Sequence, residues 1–275
     1  MMGKIFFGNG LGLHRFADTS ENPMRGFLLP ALMLLVGLWA EPVIALKGKP
    51  KLGSEAVPIT QQTEHLRTAP APDYWKLSPF YVPQQTSSAC SLASVAMALN
   101  ALRGLPARSD QRLVTQSILL KKMSRAKWTK QVAEGGSGVT FDGLVALVQK
   151  SLARFQLRDY GVEVIRPVDA QPETLARLRQ ILSDNEASDR DVILVYFNQG
   201  VVTGDWDGPH VSPIGAYDAH TGQVLILDVD REWYVPYWTA DTQLLKAMLR
   251  PAPAKHGPLT GETGGLIWIR PRPRY

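Results

Sequence analysis

The one cysteine of the chain, Cys90, is the first residue whose position suggests chemistry. It lies in the sequence SSACSLAS, at the predicted start of a helix, where unsatisfied N–H groups and the helix dipole favour a thiolate. The thiolate is the nucleophilic form of cysteine. The alternative is an inert buried cysteine, which is the usual state of a lone cysteine. We predict that Cys90 is a nucleophile.

A glutamine lies six residues before this cysteine. The spacing lets the amide of Gln84 point back over the helix start, where its NH₂ group and the backbone N–H of Cys90 would hold an oxyanion during attack on a carbonyl. Gln85 is the neighbouring alternative, and the sequence barely separates the two residues. A solvated loop position is the simpler interpretation of either side chain.

A histidine and an aspartate later in the chain are candidate partners for the cysteine. His210 opens the predicted strand HVSPIGAYD, and Asp228 ends the predicted strand VLILD eighteen residues later. If 211–217 and 224–229 pair as a hairpin, both residues lie at the same end of the sheet, where the acid would hold the tautomer of the imidazole. Asp230 is the competing acid. A strand-capping histidine and a surface aspartate are the non-catalytic alternatives.

The elements that would position these residues form an α+β layout, with helices first and antiparallel strands after them. In this layout the helical part carries the nucleophile and packs against the sheet that carries His and Asp. The central helix is predicted from about Ser88, as its cap, to Leu102. The other predicted elements are helices around 109–121, 140–154 and 171–184 and strands at 162–165, 192–197, 211–217, 224–229 and 266–269.

The composition excludes several classes of protein. The chain has 275 residues, of which 45% are hydrophobic and 20% charged, so long disorder, collagen and coiled coil are excluded. One cysteine excludes an internal disulfide, a Cys-rich zinc site and an iron–sulfur cluster. The net charge of +5 is scattered along the chain, so we predict no nucleic-acid partner, and a small anionic substrate would suit it. The Asp and His residues lack metal-ligand spacing, so no metal site is predicted.

The amino-terminal part of the chain is predicted to be a targeting segment. Residues 26–40 read GFLLPALMLLVGLWA after a basic residue, and small residues follow, so residues 1–45 are interpreted as a secretory signal cleaved after Ala45. The apolar run is short for a membrane-spanning helix, which needs about 20 residues. We expect an exported protein, periplasmic or secreted, and a retained membrane anchor is the alternative. Residues 46–74 are predicted to be a linker or arm, and residues 75–275 the catalytic domain.

Four blocks of the sequence carry a family resemblance. They are QTSSACSLASVAMALNAL (85–102), GVTFDGLVALV (138–148), HVSPIGAYD (210–218) and LILDVDREWYVPYW (225–238). Together they resemble the catalytic domain of phytochelatin synthase, which belongs to the papain-like cysteine peptidase superfamily. The resemblance extends over roughly 75–270. The chain departs from the family at Pro209, where the family usually has glycine, and it shows no Cys-rich extension of the kind found in plant members.

The resemblance implies a role for each matching residue. It implies that Cys90 is the nucleophile, His210 the base, Asp228 the orienting acid and Gln84 the oxyanion donor. Arg231 matches the arginine of the family's LDV-x-R block, and the resemblance implies that it contacts a carboxylate of the substrate. The implied fold is that of a papain-like cysteine peptidase.

The implied activity is cleavage of the Cys–Gly bond of glutathione through a γ-glutamylcysteinyl thioester on the cysteine. Water would release γ-glutamylcysteine, and a second glutathione would give phytochelatin, so the expected role is metal detoxification or glutathione turnover. No cofactor is required, and a heavy-metal ion such as cadmium would enter as a glutathione thiolate complex. A homodimer is left open. The alternatives are a peptidase that trims leader peptides and a non-catalytic module that binds thiols or metal thiolates.

Overall fold

The computed structural model describes residues 51–123 and 126–273 of the chain. The predicted targeting segment, residues 1–45, lies outside the described residues. No helix within the described ranges is both long and apolar enough to cross a bilayer.

The described residues form a seven-stranded sheet in which neighbouring strands run antiparallel. The spatial order of the strands is β1-β6-β5-β4-β3-β7-β2. The strands are β1 (Val57–Pro58), β2 (Tyr160–Ile165), β3 (Val192–Asn198), β4 (Pro209–Asp218), β5 (Gln223–Ile226), β6 (Tyr237–Ala240) and β7 (Gly265–Pro271). Strand β4 therefore lies at the centre of the sheet and pairs with β5, as the predicted hairpin requires.

Helices cover both faces of this sheet. The α-helices are α1 (Glu64–Thr68), α2 (Pro72–Leu77), α3 (Cys90–Arg103), α4 (Gln116–Met123), α5 (Ala126–Gln131), α6 (Phe141–Arg154), α7 (Pro172–Glu186), α8 (Gln199–Thr203) and α9 (Asp241–Leu249), and two short 3₁₀ segments span Ser78–Phe80 and Ala254–Leu259. Alternate residues of β3 enter different cores, because successive side chains of a strand point to opposite faces. Leu194 and Tyr196 pack with α3 and α6, whereas Val195 and Phe197 pack on the side of α7 and α9.

Helix α3 is the central helix of the domain, and all of its residues from Ser91 to Leu102 are buried. Its small and apolar side chains let it lie against strand β4. The buried Ser94 hydroxyl donates to the carbonyl of Val211 at 3.0 Å, which fixes the helix beside the strand that carries His210. The first turn of α3 is thereby held close to one end of the sheet.

Three local expectations from the sequence are wrong. Ser88 does not cap α3, because the helix begins after Ala89 and the Ser88 hydroxyl instead donates to the carbonyl of Gly136 at 2.6 Å. The helix predicted over 109–121 begins only at Gln116, since residues 109–115 take no regular structure. Strand β5 ends at Ile226, three residues before the predicted end, and Asp228 therefore lies in the segment after the strand.

Residues 51–74 are not a free linker. Val57 pairs with Trp238 at the edge of the sheet, and the buried side chain of Leu66 in α1 joins the main core. His65 packs edge-on to the Trp238 indole, with ring centroids 5.6 Å apart. The sequence hides this packing because the elements are too short to show a hydrophobic period. The segment is an ordered part of the domain.

Candidate active site

Cys90 is the first residue of α3, and its partly buried side chain lines a cavity of about 560 Å³. Gln84 and His210 line the same cavity. Since the first N–H groups of a helix have no partner within the helix, the sulfur lies where backbone donors and the helix dipole favour negative charge. A cavity of this volume is in the usual range for small-molecule sites.

His210 and Asp228 are in direct contact beside this cysteine. The Nε2 atom of His210 lies 3.0 Å from Oδ1 of Asp228, and both side chains are buried. Burial alone would lower the pKa of His210, but the charge of Asp228 and hydrogen bonding with Asp228 and Cys90 outweigh it and hold that pKa well above its ordinary value. Nε2 faces the carboxylate, so Nδ1 is the nitrogen left for Cys90. The imidazolium form is therefore favoured.

The Asp228 carboxylate is fully buried and accepts hydrogen bonds on both oxygens. His210 and the backbone N–H of Asp230 bond to Oδ1, the latter at 2.9 Å. The amide of Gln199 and the hydroxyl of Tyr237 donate to Oδ2 at 2.7 and 2.9 Å. Burial raises the pKa of Asp228, but the His210 charge and these bonds outweigh burial and lower it below its ordinary value. The acid in contact with His210 is thus kept ionised.

Asp230, the alternative acid, occupies a different position. Its backbone N–H binds Asp228, while its partly buried carboxyl group lines the cavity. Gln199 and Tyr237 were not identified from the sequence as site residues. The signal for Gln199 was its place directly after the apolar strand VILVYFN, at the same sheet end as His210. Nothing in the sequence pattern marked Tyr237.

Gln84 is held in the cavity wall by its backbone. Its N–H donates to the carbonyl of Val229 at 2.8 Å, directly after Asp228, and its side-chain amide is 3.5 Å from the carbonyl of Ser87. Gln85 also lines the cavity but is exposed, and its backbone N–H donates to the side chain of Gln116 at 3.2 Å. Gln84 is therefore the more buried of the two glutamines near Cys90.

The loop before Cys90 is fastened to residues 132–136. The hydroxyls of Thr86 and Ser88 donate to backbone carbonyls of this segment at 2.5 and 2.6 Å. The backbone N–H of Ser87 donates to the carboxylate of Glu134 at 3.0 Å, and the Ser87 hydroxyl accepts from the N–H of Gly135 at 3.1 Å. These contacts explain the hydroxyl-rich sequence TSS and fix the approach of the chain to α3.

Arg231 lies apart from these residues. Its exposed guanidinium stacks on the ring of Tyr81, 4.8 Å from the ring centroid, and it is not among the residues that line the cavity. The cavity wall instead carries Lys51. This lysine lies in a segment without a periodic hydrophobic pattern and was not predicted as a site residue. Among the described residues that line the cavity, Lys51 is the one lysine or arginine.

Within residues 51–123 and 126–273, no three His, Cys, Asp or Glu side chains come together in a group that could hold a metal ion.

Comparisons with known proteins cover most of the described chain. A family profile described as phytochelatin synthase matches residues 54–256. Glutathione gamma-glutamylcysteinyltransferase 3 of Lotus japonicus is 31% identical over 182 residues, which are 64% of this chain and 34% of that protein. Glutathione gamma-glutamylcysteinyltransferase 1 of Arabidopsis thaliana is 28% identical over 188 residues, covering 67% of this chain and 35% of that protein.

The chain spans about a third of the length of these curated relatives. Among solved structures, the Pseudomonas avirulence protein AvrPphB aligns with a TM-score of 0.28 and 11% sequence identity, over 70% of this chain and 98% of that one.

Proposed function

The chain belongs to the phytochelatin synthase family, and from this premise we propose that it is a cysteine-dependent glutathione γ-glutamylcysteinyltransferase and peptidase. Its substrate is glutathione, and the bond cleaved is the peptide bond between cysteine and glycine. The observation that carries the proposal is the buried His210–Asp228 pair, with its 3.0 Å contact, beside the thiol of Cys90 in one cavity.

We also propose a papain-like arrangement of the fold. The parts of that arrangement are a thiol at the start of a buried helix, an imidazole on strand β4 of an antiparallel sheet, and a carboxylate in the segment that follows strand β5. The order of the parts along the chain is Gln84, Cys90, His210 and Asp228. Such a set of catalytic groups is recognised by its geometry and by the role of each group, because the same set recurs on unrelated folds.

Acylation begins with the thiolate of Cys90 and the imidazolium of His210. The thiolate attacks the carbonyl carbon of the scissile bond, and the oxyanion is held by the amide of Gln84 and the backbone N–H of Cys90. When the tetrahedral intermediate collapses, the C–N bond breaks and His210 gives its proton to the glycine nitrogen. Glycine leaves, and γ-glutamylcysteine remains on Cys90 as a thioester.

Deacylation uses the same base in the opposite direction. The neutral imidazole of His210 takes a proton from water or from the amine of a second glutathione as that nucleophile attacks the thioester carbon. The C–S bond breaks, and the thiolate–imidazolium pair is restored. Water gives γ-glutamylcysteine, and the amine gives phytochelatin. Heavy-metal ions enter as glutathione thiolates, which are substrates, and the chemistry requires no resident cofactor.

The test is glycine release from glutathione by the purified protein, with mass analysis of the protein and its products. The parent is expected to release glycine and to carry a γ-glutamylcysteinyl adduct on Cys90, whereas Cys90→Ala and His210→Ala release none. His220→Ala is the matched control, because His220 is an exposed residue of the β4–β5 turn. Glycine release by Cys90→Ala at the parental rate refutes the nucleophile.

The same assay separates the alternative functions. Tight binding of glutathione complexes without release of glycine indicates a thiol-binding module, and cleavage of leader peptides but not of glutathione indicates a leader peptidase. The ratio of γ-glutamylcysteine to longer oligomers, with and without cadmium, distinguishes hydrolysis from chain extension. Export with cleavage after Ala45 is part of the proposal, and amino-terminal sequencing of the secreted or periplasmic protein tests it.

A further inference from the structure

The cavity around Cys90 carries more negative than positive side chains. Among the described residues that line it, the acids are Glu134, Asp205, Asp230 and Glu232, and Lys51 is the one lysine or arginine. Asp205 lies next to Trp206 in the sequence, and Asp230 and Glu232 lie just before Trp233 and Tyr234. This part of the wall therefore favours a positive group on a bound ligand, since an excess of acids attracts cations and repels anions.

Two of the charged residues are already paired with each other. Lys51 Nζ lies 2.7 Å from a carboxylate oxygen of Asp205, and the hydroxyl of buried Tyr234 donates to the same oxygen at 3.0 Å. The Lys51 ammonium also lies over the Trp233 ring, 4.3 Å from its centroid. These contacts fix the position of Lys51 while using only part of its three N–H donors.

Among the described acids of the wall, the carboxylates of Asp230 and Glu232 have no hydrogen-bond or ion-pair partner, and Asp230 is the partly buried one whereas Glu232 is exposed. The backbone of Asp230 is anchored by the 2.9 Å bond to Asp228, and among the described residues no hydrogen bond or ion pair ends on its carboxylate. Burial and the negative charges of Asp228 and Glu232 raise its pKa, while the positive charges of His210 and Lys51 act in the opposite direction. The carboxylate therefore lies within electrostatic reach of both the catalytic imidazole and Lys51 and is available to a ligand.

The γ-glutamyl end of glutathione has the complementary charges. It ends in an α-amino acid group, in which an ammonium and a carboxylate share one carbon atom. An anion-binding lysine beside an unpaired carboxylate fits this pair of charges, because each ligand charge then meets an opposite one. We propose that Asp230 binds the α-ammonium group of the γ-glutamyl donor and that Lys51, held by Asp205, binds the adjacent α-carboxylate. This inference rests on the proposed function and assigns specificity residues to it.

The test compares three donors that share the scissile Cys–Gly bond. They are glutathione, glutaryl-cysteinylglycine, which lacks the α-ammonium, and 4-aminobutyryl-cysteinylglycine, which lacks the α-carboxylate. The parent is expected to favour glutathione over each analogue by about 10- to 150-fold in kcat/KM, the range for one charge-assisted hydrogen bond.

Each substitution should remove one preference and leave the other. In Asp230→Asn, glutathione loses its advantage over the glutaryl donor, mainly through a higher KM, and Asp230→Glu restores part of it. In Lys51→Met, glutathione loses its advantage over the aminobutyryl donor. Asp184→Asn and Lys150→Met, which change exposed residues outside the cavity, should keep both preferences.

The inference is overturned if Asp230→Asn keeps the parental preference for glutathione. It is equally overturned if that variant slows all three donors by the same factor, because Asp230 would then act through His210. Should the parent release glycine from no donor, the proposed function fails instead. Calorimetric binding of glutathione to Cys90→Ala, with and without Asp230→Asn, then decides the subsite: weaker binding supports it, and unchanged binding refutes it.

Discussion

Replacing Asp228 by asparagine tests the centre of the catalytic proposal. The substitution keeps the shape of the side chain and removes its charge. Four donors now converge on the carboxylate, from His210, Gln199, Tyr237 and the backbone of Asp230. An amide offers one oxygen and one NH₂ group, so two of these donors must face N–H groups. Whichever way the amide turns, the variant loses the charge-assisted form of the bond to the imidazole.

The size of the effect follows from this bond. A hydrogen bond to a charged group contributes about 1.5–3 kcal/mol, which at about 1.4 kcal/mol per factor of ten corresponds to a loss of about 10- to 150-fold in kcat for glycine release. An asparagine N–H turned towards Nε2 would also favour the wrong tautomer of His210 and would increase the loss. The expected loss is therefore at least tenfold.

The pH profile gives a second readout. Asp228 and Cys90 hold the pKa of His210 well above its ordinary value, so the imidazolium of the parent persists to high pH. In Asp228→Asn this pKa falls, and the alkaline limb of kcat must move to lower pH. The assay is the initial rate of glycine release from pH 6 to 10, with near-ultraviolet circular dichroism to verify folding. A folded variant with parental kcat and an unmoved alkaline limb would refute the reasoning.

Two further predictions concern the scaffold. Burial raises the pKa of Glu186 to about 7 in the folded chain. Between the ordinary glutamate pKa and this value, the folded chain holds a proton that the unfolded chain has released. The free energy of unfolding therefore falls as the pH rises through this range. Glu186→Gln should reduce this fall by on the order of 1–3 kcal/mol, allowing for the partial exposure of the side chain. The measurement is urea unfolding of parent and variant at pH 5 and pH 7.5. An equal change in the free energy of unfolding between the two pH values for both proteins would contradict the prediction. Gly200→Ala places a Cβ atom 2.7 Å from the backbone of Asp207, so it should cost about 1–3 kcal/mol of stability and slow glycine release through Gln199. Gly161→Ala, whose Cβ meets its nearest neighbour at 3.5 Å, is the control, and equal melting temperatures for the two variants would show that the close approach does not matter.

The sequence predicted the parts of the site that lie on long, regular elements. Cys90 at a helix start and His210 at a strand start follow from periodicity, and hairpin pairing brings Asp228 near His210. Gln199 and Tyr237 could not be predicted as site residues, because they lie in a five-residue helix and a four-residue strand. Elements of this length are too short to show a hydrophobic period.

The cavity wall is harder to predict from the sequence than the positions of Cys90, His210 and Asp228. Arg231 and Asp230 are neighbours in an irregular segment, and only the path of that segment decides which side chain enters the cavity. Lys51 reaches Asp205 across 154 residues of sequence, a contact that no local pattern indicates. The same reason explains why the sequence predicts a linker or arm over residues 46–74, although the structure has strand β1 and helix α1 there.

The order of strands in the sheet has a consequence for biosynthesis. Strand β7, the last of the described strands along the chain, lies between β3 and β2, which the ribosome makes earlier. Chains emerge amino terminus first, so β2 can find its place in the sheet only after β7 has been made. A nascent chain thus carries the thiol of Cys90 long before His210, and the described sheet is complete only after β7 has been made.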